Sequence, residues 1–281
     1  MKTKNRPTHK LGLALSGGGA RGFAHLSALK VMEQHNLRPD IIAGTSVGAL
    51  VAVLYADGYS LEEMLRIASS ISFISIAESG IPRGGFLKST GISTLLKKHL
   101  RSKTFEELKL PVRVVASDIA EGTSHVFSKG EIIPAVVASC SVPIVFMPVE
   151  INKHYYLDGG MVMNFPVSVI RQECEKIIGV NVSPVISMEY DNSMKFVIER
   201  IMDCMVGANT IHERKLCDYL IESPGVSQYS LFDFKHAADI YVKGHESAKI
   251  FFDENGERIQ LELLDKPKGI IDRCKKIFRR D

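Results

Sequence analysis

Cysteine is scarce in this 281-residue chain, and the five present (Cys140, Cys174, Cys204, Cys217, Cys274) are scattered, odd in number and nowhere in C-x-x-C spacing. That excludes a disulfide framework, gives no zinc pattern, and fits a reducing compartment. Long hydrophobic runs are missing too: none approaches the roughly 18 residues that a membrane-crossing helix requires. The basic start, residues 1–10, leads only into Leu11 to Leu15 before glycines take over, so no secretory signal is expected and a cytoplasmic protein is. Repeats and low-complexity tracts are also absent.

What is present is ordinary globular material. Apolar residues make up 45% and charged residues 24%, and a chain of this length buries roughly three quarters of its unfolded surface. We expect a single domain over 1–281, with its motifs at 10–185 and a helical portion at 190–281. The net charge of +3 is unevenly spread: residues 1–10 carry four basic groups and no acid, residues 266–281 seven basic and two acidic groups, and the body between is net acidic. Basic ends suit solvent or an anionic membrane surface. Peripheral contact at the inner membrane face through the termini is therefore one expectation; a nucleic-acid partner is not.

Along the chain, Leu11 to Leu15 reads as a short strand that ends in glycines, followed by a helix with Ala24, Ala28, Val31 and His35 on one face. Residues 39–43 read as a second strand and 49–56 as an apolar helix that stops near Gly58. This β-loop-α-β-turn-α order predicts a parallel sheet covered by helices on both faces. Further strands are expected at 111–116, 154–157 and 176–182, and helices at 132–139, 194–221 and around 248–252. Residues 71–91 show no clear period and read as an irregular excursion of the kind that is often functional.

Gly44-Thr45-Ser46-Val47-Gly48 matches G-x-S-x-G, the sharp strand-to-helix turn in which flanking glycines remove side chains that would collide. Ser46 is the candidate nucleophile. The helix behind it offers the positive end of its dipole, and the Val47 N–H would face the oxyanion formed on attack. Upstream, Gly17, Gly19 and Gly22 fit the dinucleotide spacing G-x-G-x-x-G, but the acid that should hold a ribose at the end of the second strand is replaced by Gly44-Thr45-Ser46. The P-loop's Gly-Lys-Ser/Thr is replaced by Gly22-Phe23-Ala24. A glycine loop beside a serine elbow is left to serve as an oxyanion hole. For the base, Asp158, at the end of an apolar strand and before Gly159 and Gly160, is preferred. A triad with His212, His236 or His245 is the alternative, although none of these sits in a glycine-framed turn. His25 is expected to be structural.

These blocks, GGGARG at 17–22, GTSVG at 44–48 and DGG at 158–160, with Ala138-Ser-Cys-Ser-Val-Pro-Ile-Val-Phe-Met-Pro148 as a fourth, resemble those of the patatin-like phospholipases. The resemblance spans roughly residues 10–185. It implies a three-layer α/β/α fold with a mostly parallel central sheet, a Ser46–Asp158 dyad without histidine, and an oxyanion hole from the N–H groups of Gly17, Gly18 and Gly19. Gly22, Gly44, Gly48, Gly159 and Gly160 shape the turns. Arg21 either anchors the loop through carbonyls or attracts a lipid phosphate.

The expected chemistry is hydrolysis of a fatty-acyl ester or phospholipid through an acyl-enzyme, with no metal and no cofactor. A long acyl chain is expected because residues 71–86 and the helix from Met194 supply apolar surface. Two rivals are an acyltransferase using the same acyl-enzyme and a regulatory, partner-binding protein on the same fold. In the tail, Ile270, Ile271, Cys274, Ile277 and Phe278 form one apolar stripe beside basic residues, which suits either core packing or an interfacial anchor.

Overall fold

A computed structural model describes residues 7–72, 87 and 89–264. Its strands are β1 (His9–Leu15), β2 (Ile41–Thr45), β3 (Val112–Asp118), β4 (Thr123–Phe127), β5 (Val149–Ile151), β6 (His154–Asp158), β7 (Cys174–Asn181) and β8 (Tyr219–Glu222). They join in the order β5-β6-β3-β2-β1-β7-β8, with β4 also on β3. The ladders among β3, β2, β1, β7 and β8 are parallel, and those joining β3 to β4, β3 to β6 and β5 to β6 are antiparallel. The helices are α1 (Phe23–Gln34), α2 (Val47–Ala56), α3 (Leu61–Ser69), α4 (Thr90–His99), α5 (Ile132–Ser139), α6 (Ser168–Arg171), α7 (Met194–Arg214) and α8 (Ala237–Leu263).

Side-chain alternation divides the central strands between two cores. Leu11, Leu13 and Leu15 of β1, Ile42 of β2, and Ile178 and Val180 of β7 pack into one core with α1, α2 and α8. Ala14, Ile41, Ala43 and Ile177 face the other way, onto Phe165, Val167 and Ile170. Burial on both faces is why these strands read as unbroken apolar runs, and it yields the expected three layers. α2 is buried along most of its length, which suits a helix with few polar residues. α3 begins with a capping box: the Ser60 hydroxyl accepts from the Glu63 N–H, and the Glu63 carboxylate accepts from the Ser60 N–H.

The polarity of one strand differs from expectation in a way that matters for the site. The sheet is expected to be mostly parallel, but β6, the strand that ends in Asp158, runs antiparallel to β3. β2 pairs with residues 112–115 of β3 and β6 with residues 116–118, while β4 pairs with residues 114–118 from the opposite edge. β2 and β6 therefore share one edge of β3 and meet there end to end, Thr45 opposite Val115 and Asp158 opposite Ala116.

The long helix expected over 194–221 ends at Arg214, and residues 219–222 form β8, parallel to β7. In Tyr219-Leu-Ile-Glu222 the buried residues are Tyr219 and Ile221, a two-residue period that favours a strand. The helix around 248–252 is one part of the much longer α8. Most of the excursion at 71–91, residues 1–6 of the basic start and the tail stripe at 270–278 lie outside the described residues; at the end of that excursion, Thr90 and Gly91 already belong to α4.

Candidate active site

Gly44 and Gly48 are where the fold has no room for a side chain. A Cβ on Gly44 would stand 2.5 Å from the Gly48 carbonyl carbon, and one on Gly48 would collide with the carbonyl oxygens of Leu15 and Ser16. The chain passes between them through Ser46 at φ 54 and ψ −124, a strained conformation for a residue with a side chain. That strain lifts the Ser46 side chain out of the turn at the start of α2. The Ser46 N–H donates to Ser139 Oγ at 2.8 Å, and Ser139 Oγ donates to the Val115 carbonyl at 2.6 Å. Ser139 is thus a support of the elbow that sequence reasoning passed over, although it lies within the fourth quoted block.

Ser46 Oγ donates to Asp158 Oδ2 at 2.6 Å, and each residue is only 6% exposed. Asp158 is fixed on every side. Its N–H donates to the Ser141 carbonyl at 2.9 Å, its own carbonyl accepts from Ser117 Oγ at 2.9 Å, and its Oδ1 accepts from the Gly160 N–H at 2.8 Å. Gly159 opens a single 3₁₀ turn directly after it. Burial raises the Asp158 carboxyl to about 6, against the lowering effect of the Ser46 and Gly160 hydrogen bonds.

The glycine loop lies across the end of β1. Gly19 adopts φ +56, and a Cβ there would overlap the Leu231 carbonyl, so only glycine fits. Gly22 packs on Val47. Of the expected oxyanion donors, Gly17 is engaged elsewhere: its N–H donates to the Asn164 carbonyl at 3.0 Å. Among the described residues no acceptor takes the N–H of Gly18, Gly19 or Val47, and all three residues line cavities that also touch Ser46.

Arg21 is 4% exposed; it donates to the Tyr229 carbonyl at 2.9 Å and to Asp203 Oδ1 at 3.2 Å. Its guanidinium is therefore spent on anchoring the loop to α7 and to the segment before α8. His25 is fully buried and bonds the Ser16 carbonyl through Nε2 at 2.8 Å, with burial pushing it down to about 4. It is a neutral prop beneath the loop. His212, His236 and His245 line neither cavity at Ser46; His236 is paired with Asp233 at 2.8 Å.

Two cavities meet at Ser46. The larger, of about 390 Å³, is walled by Val47 and Leu50 of α2, Ile92 and Leu95 of α4, Phe146, Leu231, Phe232 and Phe234. Neither α4 nor residues 231–234 were expected there, because neither stretch carries a motif. The smaller, of about 50 Å³, lies on the Asp158 side and includes Gly18, Asn164, Met202 and Met205. It receives the apolar surface expected from the helix that begins at Met194. Among the described residues no three of His, Cys, Asp or Glu converge to hold a metal ion, and no helix is long and apolar enough to cross a membrane.

The chain is similar to known proteins to different extents. The chain is 28% identical over 196 residues to an uncharacterised NTE family protein of Mycobacterium tuberculosis, covering 69% of this chain and 52% of that one. It is 25% identical over 273 residues to lysophospholipase NTE1 of Saccharomyces cerevisiae, covering 86% of this chain and 16% of that one. The chain thus spans about half of the mycobacterial relative and a small part of the yeast one. Among solved structures, VipD from Legionella pneumophila superposes with a TM-score of 0.50 at 15% identity, covering 88% of this chain and 67% of that one, a likeness of fold. The profile of the patatin-like phospholipases matches residues 13–170, more than half of the chain, and the chain belongs to that family.

Proposed function

We propose that the protein hydrolyses fatty-acyl esters of the phospholipid or lysophospholipid class through a Ser46–Asp158 dyad. The observation that carries this reading is the 2.6 Å hydrogen bond from Ser46 Oγ to a buried Asp158 carboxylate, with Ser46 also lining an apolar cavity of about 390 Å³. Asp158 takes the Ser46 proton as Oγ attacks the ester carbonyl. The N–H groups of Gly18, Gly19 and Val47 receive the oxyanion, with the α2 dipole behind Val47. The acyl chain occupies the large cavity; as the tetrahedral adduct collapses, the ester C–O bond breaks, Asp158 passes its proton to the departing oxygen, and the alcohol leaves on that side with the carboxylate restored. Water then releases the fatty acid. The family assignment supports a lipid substrate, and the name of the yeast relative supports a lysophospholipid in particular.

The test is fatty-acid release from a palmitoyl lysophospholipid by the wild-type chain and by Asp158→Asn. Release by the first and its loss in the second are expected; an Asp158→Asn protein that retains half of the wild-type rate would contradict the dyad.

A further inference from the structure

Asn164 is 3% exposed, and its Nδ2 is a buried donor that has no hydrogen-bond partner among the described residues. Burying an amide donor unpaired is unfavourable, so its position calls for an explanation. The backbone around it is fully engaged. The Asn164 N–H donates to Asn209 Oδ1 at 3.0 Å, its carbonyl accepts from the Gly17 N–H at 3.0 Å, and Asn209 Nδ2 also holds the Gly160 carbonyl at 2.9 Å. The Asn164 side chain is thereby fixed between the glycine loop and the Asp158 turn. A Cβ on Gly160 would stand 3.0 Å from Asn164 Oδ1 and 3.1 Å from Asp158 Oδ1, so the amide and the carboxylate flank the same glycine. Both line the small cavity, together with Ser46 and Gly18.

That cavity is too small for a lipid chain. Its volume is about 50 Å³, whereas a water molecule requires only about 10–15 Å³ of such space. Resting on the Ser46–Asp158 reading, we propose that Asn164 Nδ2 positions the water that hydrolyses the acyl-enzyme. Once Ser46 Oγ is esterified it no longer donates to Asp158 Oδ2, which becomes free to accept. The water oxygen takes the Asn164 N–H on one lone pair and forms a bond to the acyl carbonyl carbon with the other, and one water proton passes to Asp158. Collapse of the tetrahedral adduct breaks the Ser46 Oγ–carbon bond. The proton returns from Asp158 to Oγ, and the free fatty acid leaves.

The experiment is rapid-mixing kinetics with a p-nitrophenyl ester, together with intact-protein mass measurement, on wild type, Asn164→Ala and Asn164→Asp. The burst of nitrophenolate counts competent sites, so a poorly folded fraction is corrected for. The expected result is an unchanged burst rate in both variants and steady turnover per burst site 10–100-fold lower. An acyl adduct should accumulate on Ser46, and added methanol should shift products toward the methyl ester more than in wild type. Steady turnover within threefold of wild type, or an equal fall in burst and steady rates, would overturn the proposal. Absence of any adduct on Ser46 in all three proteins would instead overturn the reading of the site, and this proposal with it.

Discussion

In the proposed mechanism Asp158 acts as a base from a nearly dry position, and its burial sets the pH at which it can. With the carboxyl raised to about 6, kcat/KM should rise with pH through about 6 and level off above it, as measured on a soluble ester. The same shift has a stability consequence. The folded value lies above the unfolded value near ~3.9, so the favourable contribution is complete below about 4 and is lost as pH rises through about 6. Asp158→Asn removes that penalty. It should be inactive yet more stable than wild type at pH 8, by on the order of 3 kcal/mol in urea unfolding, with the difference gone near pH 4. A variant less stable than wild type at pH 8 would show that the carboxylate's hydrogen bonds outweigh its desolvation. Ser46→Ala, by contrast, should cut turnover roughly 10⁴-fold or more with little change in the unfolding midpoint, because it removes the reacting atom and little packing.

Loops and helix starts carry the site, and their glycines were readable because each marks a place where backbone meets backbone or turns left-handed. Gly44, Gly48 and Gly19 are of that kind. Gly18 differs: a Cβ there would stand 2.8 Å from Ser183 Oγ and from Val182 Cγ2, so Gly18→Ala fits only by displacing the loop. Such a displacement takes a donor away from the oxyanion and should lower kcat on the order of 10²–10³-fold while the protein still folds. Arg21 joins that loop to α7 through Asp203. Arg21→Ala should cost about 3–5 kcal/mol of stability and depress activity on all esters alike, and Arg21→Lys should recover little, since an ammonium cannot reproduce the guanidinium fork. Thermal unfolding and a soluble-ester assay check both variants. The donor set was less legible than the loop, because the loss of Gly17 to the Asn164 carbonyl arises from a contact across almost 150 residues of chain that no local pattern encodes. The direction of β6 was hidden for the same reason: Tyr155-Tyr-Leu157 announces a strand, while its polarity depends on which edge of β3 is left open beyond Val115. β8 was lost inside a helical pattern because four residues carry too little period to compete with the twenty-one of α7.

At the scale of the whole molecule, the mixed sheet brings together what the chain keeps far apart. β2 and β6 close end to end on β3 and set Ser46 against Asp158, and α2, α4, Leu231, Phe232 and Phe234 line the apolar cavity that reaches Ser46. The cavity's walls come from segments without motifs, so its existence could be anticipated from the expected chemistry but not its lining. Leu95→Trp fills part of it; kcat/KM on a sixteen-carbon ester should fall at least tenfold, and that on a four-carbon ester less than threefold. Equal losses on both would place the acyl chain elsewhere. The central claim, a serine–aspartate dyad acting without histidine, is tested most directly by fluorophosphonate labelling with peptide mapping. Wild type and a His212→Ala/His236→Ala/His245→Ala triple variant are predicted to carry one adduct, on Ser46, formed at similar rates, with Asp158→Asn at least a hundredfold slower. An adduct on another residue, or labelling lost in the triple variant and kept in Asp158→Asn, would contradict the account.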